Sequence, residues 1–141
     1  TIFKEPIVKT PKVTLFTTYR LQNLNKKLLV INLHAINFVT DYTYMFELRR
    51  IKYQIKKHNG PLIWAGDFNT WSQSRLRYIK KIAQNLNLKE VEIPSQFRTA
   101  DIGLVLDYAF VRGAKVKSVQ DLSSIRSSDH RPLSFKISIT P

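Results

Sequence analysis

Four short segments of this chain place carboxylates, carboxamides and imidazoles where a phosphate or a metal ion could meet them. Gly66-Asp67-Phe68-Asn69 follows an apolar run at 62–65, so Asp67 and Asn69 are expected to project from a strand end, where layered sheets bind ligands. Their spacing of two would aim both side chains the same way. A carboxylate beside a carboxamide can orient an attacking water and bond a phosphate oxygen. The same residues also suit an Asx turn, in which each bonds its own backbone. Asn32 and His34 close another apolar run and share one face by the same rule. An imidazolium is a good phosphate donor, although a strand histidine taken alone is more often structural.

Asp107 sits inside Val105-Leu106-Asp107-Tyr108-Ala109-Phe110, where an ionised group without a partner is costly. Asp129-His130 offers that partner: a buried carboxylate that holds an imidazole in one tautomer tunes it for acid or base work. The alternative is an Asp on a sheet edge facing water. In Ser127-Ser128-Asp129-His130-Arg131-Pro132 the carboxylate and the imidazole are adjacent. Extended backbone would point them to opposite sides, one to a metal and one to substrate. The remaining histidine, His58, falls at an expected helix end, where a dipole contact accounts for it. Four polar clusters at strand ends point to convergence on one site.

The elements that must position these residues follow from periodicity. Residues 12–19 and 27–34 read as an antiparallel pair joined by a polar loop at 22–27. Asp41 can cap a helix running to about His58, with Met45, Leu48, Ile51 and Ile55 on one face and Gly60-Pro61 as its stop. A buried strand at 62–65 and a turn at 66–69 come next. Ser72 then opens a second helix that turns Leu76, Ile79, Ile82 and Leu86 inward. A loop is expected over 94–103, followed by apolar runs at 104–111, 114–119 and 133–139. In the last run Leu133, Phe135, Ile137 and Ile139 alternate with Ser134, Lys136 and Ser138, the pattern of a strand with one wet side. This mixture predicts one α/β (α+β) layer unit over 1–141 rather than two domains.

The chain has 141 residues, 43% hydrophobic and 11% aromatic, which suffices for a core and argues against disorder. No apolar run approaches the roughly 20 residues that span a bilayer. Thr1 is preceded by neither an initiator Met nor a leader, which gives the expectation of a trimmed or processed start. With no Cys, thiolate metal sites are excluded and only oxygen and imidazole ligands remain. A formal charge of +13, from 23 Lys and Arg against 10 Asp and Glu, favours polyanionic partners, nucleic acid or an anionic membrane surface. Much of it falls on the two expected helices, in Arg49, Arg50, Lys52, Lys56 and Lys57 and in Arg75, Arg77, Lys80 and Lys81. That pattern also fits a solvated helix face.

In this order, Asn32-Leu33-His34, Gly66-Asp67-Phe68-Asn69, Leu106-Asp107-Tyr108 and Ser128-Asp129-His130-Arg131-Pro132 resemble the later motifs of the endonuclease/exonuclease/phosphatase superfamily, the relatives of pancreatic deoxyribonuclease and apurinic endonuclease. The stretch from Lys4 to Phe110 looks like a bacterial branch of it, which favours the bacterial cytoplasm. The resemblance implies half of a four-layer α/β sandwich, with a mainly antiparallel sheet and outer helices. It implies a metal-dependent phosphodiesterase, most simply a nuclease, using Mg²⁺ or Mn²⁺.

By the same resemblance Asp67 would activate the nucleophilic water, Asn69 would bond the scissile phosphate and Asp129 would help hold the metal. His130, paired with Asp107, and His34 would contact the phosphate, and Asn32 would position them. The family's early Asn and its principal metal-binding Glu have no counterpart here, and Glu5, followed by Pro6, is not accepted as that Glu. An apolar sheet face would then need covering by another copy or by the absent half. A phospholipid or inositol-phosphate esterase and a non-catalytic nucleic-acid-binding module are the alternatives.

Overall fold

The computed structural model describes residues 3–6, 9–22, 24–97, 100–101 and 104–139. Its elements run β1 (Thr14–Arg20), β2 (Lys27–His34), α1 (Asp41–Lys56), β3 (Leu62–Asp67), α2 (Gln73–Asn85), β4 (Lys89–Glu90), β5 (Ala100–Asp101), β6 (Leu104–Val105), β7 (Asp107–Arg112), β8 (Ala114–Asp121) and β9 (Leu133–Ile139). Five strands form one sheet in the order β1-β2-β3-β7-β4, and β5-β6 and β8-β9 form separate hairpins. Among the described residues only β2 and β3 run parallel, and α1 supplies the crossover that a parallel pair requires.

The register of the three central strands determines what the site can be. Ile31, Trp64 and Phe110 stand in one row, and His34, Asp67 and Asp107 in another. Because side chains alternate across a strand, Ile31, Leu33, Trp64 and Phe110 turn to one face, where Tyr44, Leu48, Ile51 and Ile55 of α1 and Ile79 and Ile82 of α2 cover them. Each such side chain, fully buried, stabilises the fold by about 1.5–3 kcal/mol. Asn32, His34, Asp67 and Asp107 consequently leave by the opposite face. That face carries a smaller cluster of Val91, Ile93, Ala109 and Val111, against which Ile63, Leu133 and Phe135 pack.

Several sequence expectations need correction. Thr40, not Asp41, caps α1: its Oγ1 accepts from the Thr43 N–H at 3.3 Å. Asp41 is the first helical residue, and its carboxylate is drawn instead to Arg75. Tyr44, not named for the inner face, is fully buried there, and Met45 packs against the same cluster as a partly buried side chain. The His58 ring lies 3.0 Å from the Pro61 carbonyl, beyond the helix, so it makes a loop bond and not the expected dipole contact. Gly66 and Asp67, expected in a turn, stay within β3 because β2 and β7 bond it on both sides.

The run at 104–111 is broken between β6 and β7, and β4 was not foreseen because two residues carry no period. Within the expected 94–103 loop, residues 98–99 and 102–103 lie outside the described residues. In β9, Ser134 and Ser138 are as half-buried as their apolar neighbours, so only Lys136 is exposed. Ser72 does cap α2, its Oγ accepting from the Arg75 N–H at 3.2 Å.

Gly66 has φ +135°, and a Cβ built there would lie 2.0 Å from the Leu33 carbonyl oxygen, a backbone atom that cannot move aside cheaply. Gly66→Ala should therefore lower unfolding free energy by about 3 kcal/mol or more, adding a steric clash to the strain of a positive φ. A urea titration measures it, and an unchanged midpoint would refute the close approach.

Candidate active site

Residues from three strand ends and one loop line an open depression of about 1140 Å³, among them Asn32, His34, Asp67, Asn69, Asp107, Asp129 and His130. The expected convergence of the four segments is therefore met in space. Strand geometry explains half of it, since β2 and β3 end side by side and β7 begins beside them. The bend at Ser127–His130 brings His130 across to Asp107. Its Nδ1 lies 3.0 and 3.1 Å from the two Asp107 carboxylate oxygens.

Asp67 is the centre of the arrangement. Its Oδ2 lies 3.5 Å from His34 Nε2 and 3.7 Å from His130 Nε2, and its Oδ1 accepts from the Asn69 N–H at 2.8 Å. Burial lifts its carboxyl above the ordinary 3.8. The Asn69 N–H, His130 and His34 pull it back down, while the Asp107 charge adds to the rise. For His130, burial alone would lower the pKa. The hydrogen bond to Asp107 and the charges of Asp107, Asp67 and Asp129 outweigh burial, so the imidazole titrates above 6.5.

Both groups thus bind protons more tightly folded than unfolded. The stabilising contribution of each is complete below its ordinary value and fades as pH rises through the folded one. Asp129 is fully exposed, and its carboxyl is held below 3.8 by a backbone N–H and the Ser128 hydroxyl.

Asn69 departs from the expected projection. The strand ends at Asp67, so the period-two rule no longer applies, and Asn69 takes φ +48°. Its carboxamide turns inward, Nδ2 donating to the Ala35 carbonyl at 2.8 Å and Oδ1 accepting from Trp71 Nε1 at 2.8 Å. It is 3% exposed.

Behind it stands a group that the sequence offers only as one of the helix cations, for a polyanion or a solvated face. Arg75 is 5% exposed, donates to the Asn69 carbonyl at 3.1 Å and to Asp41 Oδ1 at 2.9 Å, and lies over the Tyr44 ring. The Tyr44 hydroxyl donates to the Phe68 carbonyl at 2.7 Å. Arg75 and Tyr44 thereby fix the backbone that carries Asp67. The signal was present in the spacing, because Arg75, Ile79 and Ile82 share one helical face.

A resident metal needs several hard oxygen ligands. Among the described residues no group of three or more His, Asp or Glu is placed to hold one. Asp129 offers one exposed carboxylate. Glu5, 2% exposed, is already committed to the Asn37 N–H at 3.0 Å, the Thr10 hydroxyl at 3.3 Å and Lys12 at 3.5 Å. The described residues therefore do not by themselves amount to a divalent-metal site. No helix among the described residues is long and apolar enough to cross a membrane.

The sequence matches the Endonuclease/Exonuclease/phosphatase family over residues 2–130. The chain belongs to that family. It is 42% identical to the UPF0294 protein of Vibrio parahaemolyticus over 132 residues, which is 92% of this chain and 46% of that protein. The UPF0294 protein of Photorhabdus laumondii is 40% identical over 92% of this chain and 50% of its own length. The chain thus spans about half the length of the curated relatives it matches. Among solved structures it superposes on the human Nocturnin catalytic domain with a bound sulfate anion, with a TM-score of 0.64, 22% identity, and 98% of this chain and 56% of that one covered. Zebrafish (D. rerio) TDP2 complexed with single-strand DNA product gives 0.62 at 14% identity, covering 98% of this chain and 66% of that one. These likenesses show the mixed α/β fold of the family.

Asp107→Asn removes the charge and one of the two acceptor oxygens that raise the His130 pKa. The His130 imidazole should then titrate at lower pH than in the parent, read from its Cε1–H shift by NMR. An unmoved titration would mean that Asp107 does not govern it.

Proposed function

We propose that this chain supplies the general base and the phosphate-binding imidazoles of a divalent-metal-dependent phosphodiester hydrolase whose substrate is nucleic acid. The observation that carries the reading is the Asp67 carboxylate between His34 and His130, with Asp107 behind His130. In this reading a water lies against Asp67, which takes its proton as the water oxygen bonds to phosphorus and the bond to the leaving oxygen breaks. His130, its Nδ1 committed to Asp107, presents Nε2–H to the phosphate, and His34 flanks the other side. One of these imidazoles returns a proton to the leaving oxygen. Asn69 and Asn32 act as positioning residues, Asn69 through its N–H on Asp67.

Charge supports both the metal and the substrate. Glu5, Asp67, Asp107 and Asp129 bring four carboxylates to a depression whose lining also holds Lys12, Arg131 and two imidazoles, so an added phosphodiester calls for further positive charge. Asp129 would supply one oxygen ligand for Mg²⁺ or Mn²⁺, and the remaining ligands would come from the rest of a longer protein, in keeping with relatives about twice as long. That additional chain or another copy would cover the apolar part of the sheet face around Val30 and Ile63. Nucleic acid is favoured by the net charge of +13, and TDP2, of the same fold, was solved with a single-strand DNA product.

The test is nicking of supercoiled DNA by the full-length protein with Mg²⁺ and with a chelator. His130→Ala and Asp67→Asn should each lower kcat by about 10²–10⁴-fold with circular dichroism unchanged, and the chelator should abolish nicking. The rate should fall in acid as Asp67 is protonated and in alkali as His130 loses its proton. Turnover unchanged in both variants would remove these residues from the mechanism. The 141-residue chain alone should be inactive, and chelator-sensitive nicking by it would show that its own residues complete the metal site.

A further inference from the structure

Outside glycine, the described residues with positive φ are Lys9, Phe38, Asn69 and Asn87, and of these only Phe38 carries a ring. A bulky side chain at φ +53° is disfavoured, and such a conformation persists only where the surroundings impose it. They do so at successive residues. The Ala35 N–H donates to the Asp67 carbonyl at 2.8 Å, and the Ala35 carbonyl accepts from Asn69 Nδ2. The Asn37 N–H donates to buried Glu5 at 3.0 Å, and the Phe38 N–H donates to Asn37 Oδ1 at 2.8 Å. A buried carboxylate that the hydrolytic chemistry does not use is thus spent on holding this loop.

The result runs against burial, because the Phe38 ring is left 59% exposed on the wall of the depression that contains His34, Asp67 and His130. Trp71 lines the same depression, its indole N–H fixed on Asn69 Oδ1. Two aromatic rings on pinned backbone beside phosphate-binding groups match what an unpaired nucleotide offers, a flat base one linkage from a phosphate. Bases within a duplex are stacked on each other and cannot reach such a wall. A membrane fits poorly, since rings that line a concavity cannot enter a flat bilayer.

We propose that Phe38, with Trp71, is a stacking platform that receives a base of a single-stranded or unpaired nucleic acid next to the phosphate site. This deepens the phosphodiesterase reading and rests on it for the identity of the phosphate site.

The test uses full-length protein in chelator, so that binding is read without turnover, with a short single-stranded oligodeoxynucleotide containing 2-aminopurine, its duplex, and phosphatidylserine vesicles. Two variants separate stacking from packing. Phe38→Asn removes the ring but suits the left-handed backbone, so it should keep or raise the melting temperature while weakening single-strand affinity about 5- to 100-fold. Phe38→Tyr keeps the face and should bind as the parent does. The parent should quench 2-aminopurine fluorescence and prefer single strand to duplex. The proposal is overturned by equal affinity of Phe38→Asn and parent for the single strand, or by parent binding to vesicles and not to the oligonucleotide. Stacking without any hydrolysis after Mg²⁺ is restored would leave the platform standing and sink the phosphodiesterase reading instead.

Discussion

The apolar stripe shared by α1 and α2 governs the rest of the molecule. Tyr44, Leu48, Ile51, Ile55, Ile79 and Ile82 need an apolar surface to cover, and the sheet provides it as the rows built on Ile31, Leu33, Trp64 and Phe110. Alternation then leaves no choice for the residues between. Asn32, His34, Asp67 and Asp107 must emerge on the face away from the helices, and the strand pairing sets them side by side. A one-residue slip of β3 would turn Asp67 into the helix-covered core and Trp64 out of it. The site's register is therefore held by hydrophobic burial on the other side of the sheet rather than by contacts within the site.

This is why the sequence was informative for some parts and silent for others. Strand β2 was legible to its last residue as an apolar run after a polar loop, although Leu28 and Val30 left its buried face open, and the cap of α2 at Ser72 was legible from residue type. The pairing of Asp107 with His130 could be expected because an ionised residue in an apolar run needs a partner. What escaped were features made by folding itself. Thr40 holds the cap of α1, and the Asp41 carboxylate turns to Ser72, Ser74 and Arg75. Strand β3 ran past its apolar residues because its neighbours bond it, and β4 exists only as two residues laid along β7. Arg75 counted as one more surface cation until its burial was visible.

The electrostatics of the site follow from its depth. Asp67 is 12% exposed in its side chain, His130 33% and His34 50%, so the three groups form a gradient from interior to solvent. At Asp67 and His130 burial acts in opposite senses, raising the carboxylate pKa and lowering the imidazole pKa. At His130 the carboxylates of Asp107, Asp67 and Asp129 reverse that tendency. At Asp67 the neighbouring imidazoles only moderate it. A carboxylate whose pKa burial raises and an imidazole whose pKa the neighbouring carboxylates raise thus lie 3.7 Å apart in one depression.

Conformational strain is gathered at the same rim. Phe38, Gly66 and Asn69 all have positive φ, and all lie at or just beyond the ends of β2 and β3. Left to local preference, those ends would relax and the row of His34, Asp67 and Asp107 would lose its spacing. Groups that touch no substrate oppose this. Arg75 and Tyr44 hold the carbonyls of Asn69 and Phe68, Asn69 holds Ala35, and Glu5 holds Asn37. Each such bond, made out of water and to a charged or oriented partner, is stronger than the same bond at the surface. Together they offset strain of about 1–3 kcal/mol at each non-glycine position. The buried Glu5 and Arg75, costly as isolated charges, therefore keep the rim rigid, and a rigid rim is what lets Asp67 and the two imidazoles stay aimed at the same point.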